Sequence, residues 1–141
     1  MDTPYELEIA DLELFADCSK AELRKIRSLT TYLQLPKDQV LIREGSLANE
    51  FIIIDRGTAR VSRKTEQGVS KVADVGSGEF LGEIGLLTGA RRTATVTATT
   101  DIAVLVSSVS EFRSILDIAP SVADKVIRAS IDRAANMDVA A

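Results

Sequence analysis

Phe80-Leu81-Gly82-Glu83-Ile84-Gly85-Leu86-Leu87-Thr88-Gly89-Ala90-Arg91-Arg92-Thr93-Ala94-Thr95-Val96 is the stretch on which the reading of this chain turns. Glycines punctuate it: Gly82, Gly85 and Gly89, with Gly78 just ahead, let the backbone approach a ligand closely and take up conformations that other residues resist. A short helical turn after Gly82 would present free N–H groups and the positive end of its dipole to an anion. Arg92 then opens a strand, where a planar guanidinium can hold a phosphate through two hydrogen bonds. Glu83 is the odd member, because a carboxylate repels phosphate. It fits if it faces another part of the same ligand and accepts a hydrogen bond from a sugar hydroxyl.

The sequence on either side reads as helix, then many short strands, then helix. Upstream, Ser19-Lys20-Ala21-Glu22 has the form of a capping box. Leu23, Ile26 and Leu29 follow at helical spacing, which predicts a helix over about 19–31, with a shorter helical piece around Leu12, Leu14 and Phe15 before it. Pro36 ends this region. Val40–Arg43, Phe51–Asp55, Ala59–Arg63 and Lys71–Val75 are short, rich in Val and Ile, and separated by Gly45, Gly57, Gly68 and Gly76, so they are predicted strands. Thr93–Thr99 alternates strictly, with Ala94, Val96 and Ala98 on one face and threonines on the other, the signature of a half-buried strand. Ile102–Val106 is the last predicted strand. Several short strands at this spacing suggest a small barrel or sandwich. Beyond them, Ser110 can cap a helix over Glu111–Ile118, and Pro120 suits the first turn of a second helix running to about Asn136. Val122, Val126, Ala129 and Arg133 form one stripe along it, and Ile127, Ile131 and Ala134 another.

Composition narrows the function. A chain of 141 residues fits one domain with one core. With a formal net charge of −4, the chain lacks the basic surface that a nucleic-acid partner requires, although one or two arginines in a pocket suffice for a small anion. The one cysteine, Cys18, excludes an intrachain disulfide and suits a reducing cytosol; its expected role is that of a small buried hydrophobe. The acidic start, Met1-Asp2-Thr3-Pro4-Tyr5-Glu6, lacks the pattern of a signal peptide, and Phe51-Ile52-Ile53-Ile54 is far shorter than a membrane span. The expectation is a soluble, cytoplasmic protein. Without histidine, the common zinc sets and the Ser/His and Cys/His nucleophile pairs are absent, so no catalytic residue, metal or cofactor is expected.

The opening stretch resembles the phosphate-binding cassette of the cyclic-nucleotide-binding domain family. That pattern runs roughly Phe-Gly-Glu-(Leu or Ile)-(Ala or Gly)-Leu-Leu, a short gap, then Arg-x-Ala-(Thr or Ser)-Val. Gly82-Glu83-Ile84-Gly85-Leu86-Leu87 and Arg92-Thr93-Ala94-Thr95-Val96 match it nearly throughout. The likeness extends over almost the whole chain: Glu44-Gly45 and Asp55-Arg56-Gly57 look like the family's turn glycines, Leu14-Phe15 and Glu22-Leu23 like its N-terminal helices, and Phe112 to Arg133 like its B and C helices. The resemblance implies a mainly β fold, an eight-stranded β-roll (jelly roll) with helices at both ends. It places N-terminal helices at about 1–35, the roll at 36–108 and C-terminal helices at 110–137, all in one domain spanning 1–141.

It also implies site roles. Glu83 would bind the ribose 2′-hydroxyl and Arg92 the cyclic phosphate. Backbone N–H groups of Ile84, Gly85 and Ala94 would assist, with Gly82 and Leu86 beside them and the Thr93 hydroxyl reaching phosphate or base. Where the family usually has Pro or Asn before the arginine, this chain has Arg91. Either arginine could serve, and the spacing to Ala94-Thr95-Val96 favours Arg92. Part of the C-terminal helix, around Val126, Ile127, Ser130 and Arg133, would close over the purine. The ligand is cAMP or cGMP, with cAMP favoured; Thr93 does not decide the base.

Each element has an ordinary reading when taken alone. Paired arginines at a strand start are usually solvated, a glutamate can be a helix-terminal charge, and glycines are turn punctuation. Their coincidence at matching spacing favours ligand binding by a non-catalytic regulatory module. The competing reading is a degenerate roll that serves only as a protein-interaction module. A catabolite-activator-type regulator would carry a helix-turn-helix after the C helix, and with the chain ending at Ala141 that role is not expected. Cyclic-nucleotide hydrolysis would need clustered metal ligands. The partners expected are thus a cyclic nucleotide and an unidentified protein effector, with neither nucleic acid nor membrane; the helical stripes are also compatible with a homodimer.

Overall fold

Phe51-Ile52-Ile53-Ile54 becomes the middle of a strand, β3 (Glu50–Arg56), buried on both of its faces. A strand that reads as a continuous apolar run rather than an alternating one is covered on both sides, and this one is the wall between two cores. On one face Ile52 and Ile54 point into the roll with Ile42, Val61, Leu81, Val96 and Val104. On the other, Phe51 and Ile53, with Leu105 of the neighbouring strand, meet the helices through Phe15, Ile26, Phe112, Ile115, Val122 and Val126. Phe51 and Phe112 stack with ring centroids 4.4 Å apart, which fixes helix against sheet.

The structure is a computed structural model and describes residues 9–136; the parts of the expected terminal helices at 1–8 and at 137 lie outside the described residues. Two antiparallel four-stranded sheets make the roll. One contains β1 (Thr31–Leu35), β8 (Ile102–Ser108), β3 and β6 (Phe80–Leu81), in the order β1-β8-β3-β6. The other contains β2 (Val40–Ile42), β7 (Thr95–Ala98), β4 (Thr58–Thr65) and β5 (Gly68–Gly76), in the order β2-β7-β4-β5. This is the mainly β, eight-stranded roll expected from the resemblance. The alternation in Thr93–Thr99 is realised around β7: Ala94, just ahead of the strand, and Val96 and Ala98 within it are buried, while Thr95 and Thr97 are half-buried.

Four helices follow the sequence closely. Helix α1 (Lys20–Ser28) starts with the Ser19/Glu22 capping box, both hydrogen bonds being present. Helix α2 (Glu83–Thr88) is the short turn after Gly82. Helices α3 (Val109–Ile118) and α4 (Pro120–Asn136) succeed the roll.

The differences are local. The helix predicted to about residue 31 ends at Ser28, and Thr31–Leu35 is already strand β1, paired with β8 from Thr31↔Val106 to Leu35↔Ile102. The β-branched pair Thr30-Thr31 disfavours helix there, but β1 lacks a clean alternation and only its partner β8 reveals it. The cap of α3 is Ser108 rather than Ser110, because Glu111 lies three residues after Ser108 and the two close a capping box. Strand β6 is two residues long, too short for any periodicity to reveal.

Candidate functional site

The Gly82 peptide can only be built with glycine. Its φ is +95°, in the left-handed region that side chains avoid, and a Cβ there would collide with the Arg92 guanidinium and stand 2.8 Å from the Glu50 carbonyl oxygen. This tight corner joins β6 to α2. It puts Glu83 at the first position of the helix, with Ile84 and Gly85 in the same turn and Leu86 buried in the helix-side core.

Arg92 crosses beneath this corner. Its side chain is 5% exposed, and its guanidinium donates to the carbonyls of Gly82 at 3.0 Å and Glu50 at 2.5 Å. The backbone on either side is clamped as well: the Arg92 N–H donates to the Ser46 carbonyl at 2.9 Å, and the Gly45 N–H to the Arg92 carbonyl at 2.8 Å. Burial lowers the Arg92 pKa, partly offset by the charges of Glu50 and Glu83, and an arginine keeps its proton regardless. A small cleft of about 130 Å³ reaches Arg92 between Arg43, Ser46, Leu47 and Glu50. Arg91, by contrast, is exposed and donates to the Gly45 carbonyl at 3.0 Å. Thr93 is exposed and Ala94 fully buried.

Glu83 is the second buried charge, with 0% exposure. Both of its carboxylate oxygens accept from one guanidinium nitrogen of Arg133 on α4, at 2.6 and 2.7 Å. The other terminal nitrogen of Arg133 donates to the Phe80 carbonyl at 2.6 Å, and its guanidinium carbon lies over the Phe80 ring, 5.1 Å from the centroid. Burial pushes the Glu83 carboxyl above its ordinary value, and the attraction of Arg133 and, more weakly, of Arg92 offsets this only in part.

The structure therefore brings together Gly82, Glu83, Arg92 and Arg133 and leaves Arg91 and Thr93 at the surface. Of the other helix residues singled out in the sequence, Val126 is buried in the helix-side core, the Ser130 hydroxyl donates to the Val126 carbonyl of its own helix, and Ile127 is 51% exposed. Sequence reasoning did not find Glu50 and Phe80, whose contributions are backbone carbonyls and a ring face. No residue-type pattern signals a carbonyl, and only the tertiary pairing of β3 with β6 reveals it. Among the described residues, no group of three or more His, Cys, Asp or Glu could hold a metal ion, and no helix is long and apolar enough to cross a membrane.

Comparison with known proteins converges on the same elements. The chain is 34% identical over 128 residues to the acetyltransferase Pat of Mycolicibacterium smegmatis, covering 91% of this chain and 38% of that protein. It is 38% identical over 95 residues to the cAMP-dependent protein kinase regulatory subunit of Mycosarcoma maydis, covering 67% and 18% respectively. A solved structure of a cAMP-binding acyltransferase from Mycobacterium smegmatis superposes with a TM-score of 0.75 at 30% identity, over 93% of this chain and 41% of that one. The chain thus spans less than half the length of each of these relatives. The family model described as the cyclic nucleotide-binding domain matches residues 32–118, from β1 to the end of α3. That span encloses the Gly82 corner, Glu83 and Arg92, and on it the chain belongs to the cyclic nucleotide-binding domain family.

Proposed function

We propose that this chain is a non-catalytic sensor that binds a cyclic nucleotide, cAMP in preference to cGMP, and passes the signal on through α4 to a protein effector in the cytoplasm. Arg92 takes the cyclic phosphate and Glu83 the ribose 2′-hydroxyl; the N–H groups of Ile84, Gly85 and Ala94 assist, and the part of α4 around Ser130 and Arg133 covers the base. The observation that carries this reading is the pairing, across one glycine corner, of a buried arginine and a buried glutamate. Two buried charges of opposite sign are expensive to maintain for stability alone. A ligand that is anionic at one end and rich in hydroxyls at the other accounts for both. The cAMP-binding acyltransferase relative supports cAMP as the ligand.

The test is calorimetry with cAMP and cGMP on the wild type and on Arg92→Ala. Saturable binding at micromolar ligand is expected for the wild type. Loss of the arginine is expected to cost on the order of 2–4 kcal/mol of binding, because a buried phosphate loses its charged partner. Absence of saturable binding to the wild type sinks the proposal.

One observation favours the second reading, a roll kept only for protein interaction. Arg92 and Glu83 already have partners within the chain, and the cleft beside Arg92 is about 130 Å³, below the roughly 300 Å³ at which small-molecule sites begin. On that reading the melting temperature does not move when either nucleotide is added in excess, whereas a bound ligand must raise it.

A further inference from the structure

β5 is the longest strand at an edge of either sheet. Its nine residues pair with β4 on one side only, from Thr58↔Gly76 to Thr65↔Gly68. Among the described residues, no hydrogen bond outside that ladder reaches the backbone of residues 69–75. On an edge strand every second N–H and C=O points outward, ready to template a further strand. The register steps from Val61↔Ala73 to Ser62↔Lys71, so Val72 is the extra residue of a bulge. Beyond that bulge the hairpin leaves the roll as an arm. Gly68, Val69, Ser70 and Lys71 are all exposed, which opens both faces of this half of β5 to solvent. Val69, at 71%, is the most exposed large apolar side chain among the described residues. A two-stranded ribbon with neither face covered is marginal in water and gains from a third strand. The β4 side of the arm is closed to one: past the end of β7, the Lys64 N–H donates to the Glu44 carboxylate at 3.0 Å. The β5 side is open.

The charges on the arm select the occupant. Arg63, Lys64 and Lys71 stand against a single acid, Glu66, in a chain whose net charge is −4. Lys71 is tied to Asp74 at 2.5 Å, but both side chains are more than half exposed, and so exposed an ion pair is readily exchanged for another. Val69 and Lys71 lie on the outer face of the sheet, where with Arg60, Ser62 and Thr97 they line an open groove of about 450 Å³. We propose that the free edge of β5 is a docking strand for an acidic, extended segment of a partner protein. The segment adds to the arm as a third strand, with an apolar side chain beside Val69 and a carboxylate beside Lys71. A second copy of this chain is disfavoured as the occupant by the same lysine, since two β5 edges paired with each other bring like-charged arms together. Backbone hydrogen bonds supply the affinity, and Val69 with Lys71 supplies the specificity. The assignment is independent of what the cassette binds.

Peptide binding to the full chain, without nucleotide, tests this. The probe is a blocked peptide as long as β5, Thr-Val-Thr-Glu-Thr-Val-Thr-Glu-Thr. As a strand it puts threonine on one face and valine alternating with glutamate on the other. At low ionic strength it is expected to shift the amide resonances of residues 68–73 saturably and to slow hydrogen exchange there, while the amides of α4 are unchanged. Replacing both peptide glutamates by lysine is expected to weaken binding about fivefold or more. Lys71→Glu, at an exposed site, should reverse that preference, so that the lysine peptide becomes the tighter of the two. The fully N-methylated peptide keeps every side chain but has no backbone donor, and it is expected not to bind. No saturable shift at millimolar peptide overturns the proposal. Equal binding of the N-methylated peptide overturns it too, by placing the segment in the groove rather than along the edge. A preference for glutamate that is absent in the wild type, or unchanged in Lys71→Glu, overturns the selection by charge. A concentration-dependent dimer that protects residues 69–75 from exchange overturns the proposal in favour of a second copy.

Discussion

Val122 and Val126 stand one turn apart on α4 and are both fully buried, whereas Ile127 and Ile131, equally apolar and also one turn apart, are 51% and 63% exposed. The first pair closes the helix-side core against Phe15, Phe112 and Ile115. Between its members, Lys125 adds contacts to the Glu13 carbonyl at 2.5 Å and the Asp17 carboxylate at 3.2 Å. The second half of the helix is held through Arg133, on Glu83 and Phe80. One helix is thus fastened at its start by apolar burial, which is non-directional and which a small polar ligand cannot replace. It is fastened near its end by hydrogen bonds and charge, which a ligand of matching chemistry can replace. The difference teaches where this molecule can open without unfolding. Local opening follows the regions with few buried apolar contacts.

The strongest way to break that contrast is to remove apolar packing from the first half. Val122→Ala deletes two methyl groups from a fully buried site, and the expected loss of stability is about 2 kcal/mol, read as a lower urea midpoint at unchanged slope. A loss under about 0.5 kcal/mol, within the range of surface substitutions, would show that the first half is no better anchored than the second.

An intermediate effect tests the polar half through pH. Because the folded-state pKa of Glu83 is raised above its ordinary value of 4.5, the folded state holds that proton more tightly than the unfolded state does. The contribution of Glu83 to stability is therefore greatest below the ordinary value, and it is lost as the pH climbs through the raised one. Glu83→Gln cannot titrate. Its stability relative to the wild type should rise as the pH is taken from about 4 to neutrality, measured by urea denaturation across that series. A flat difference would mean that Arg133 just offsets the burial of the carboxylate, and a slope in the other direction that it over-compensates it.

The smallest expected effect is on the exposed stripe. Ile131→Ala should change stability by no more than about 0.5 kcal/mol in either direction. A loss above 1 kcal/mol that depends on protein concentration would instead place a second copy of the chain against this face, as a homodimer through the C-terminal helices requires.

Local signals made much of this molecule legible from its residues. Ser19 with Glu22, the alternation of Thr93–Thr99 and Pro120 at the head of a helix each act within a few residues of themselves, so their readings hold in the folded chain. Strand β1 escaped because Thr31-Tyr32-Leu33-Gln34-Leu35 lies at the edge of a sheet, where burial does not alternate and the decisive partner, β8, is some 70 residues away.

The same division runs through the site. Sequence alone marked the glycine corner, singled out Glu83 and Arg92, which are the two charges buried beside it, and pointed to the roll around them, because spacing and residue type are local properties. Tertiary structure alone decided what each charge touches. The Glu50 carbonyl reaches Arg92 because β3 and β6 are neighbours, Arg91 turns outward to Gly45, and Arg133 crosses from α4 to Glu83. A buried charge has to find a partner within hydrogen-bond reach. Which partner it finds depends on how distant segments pack together, and that is not written in the spacing of any one stretch.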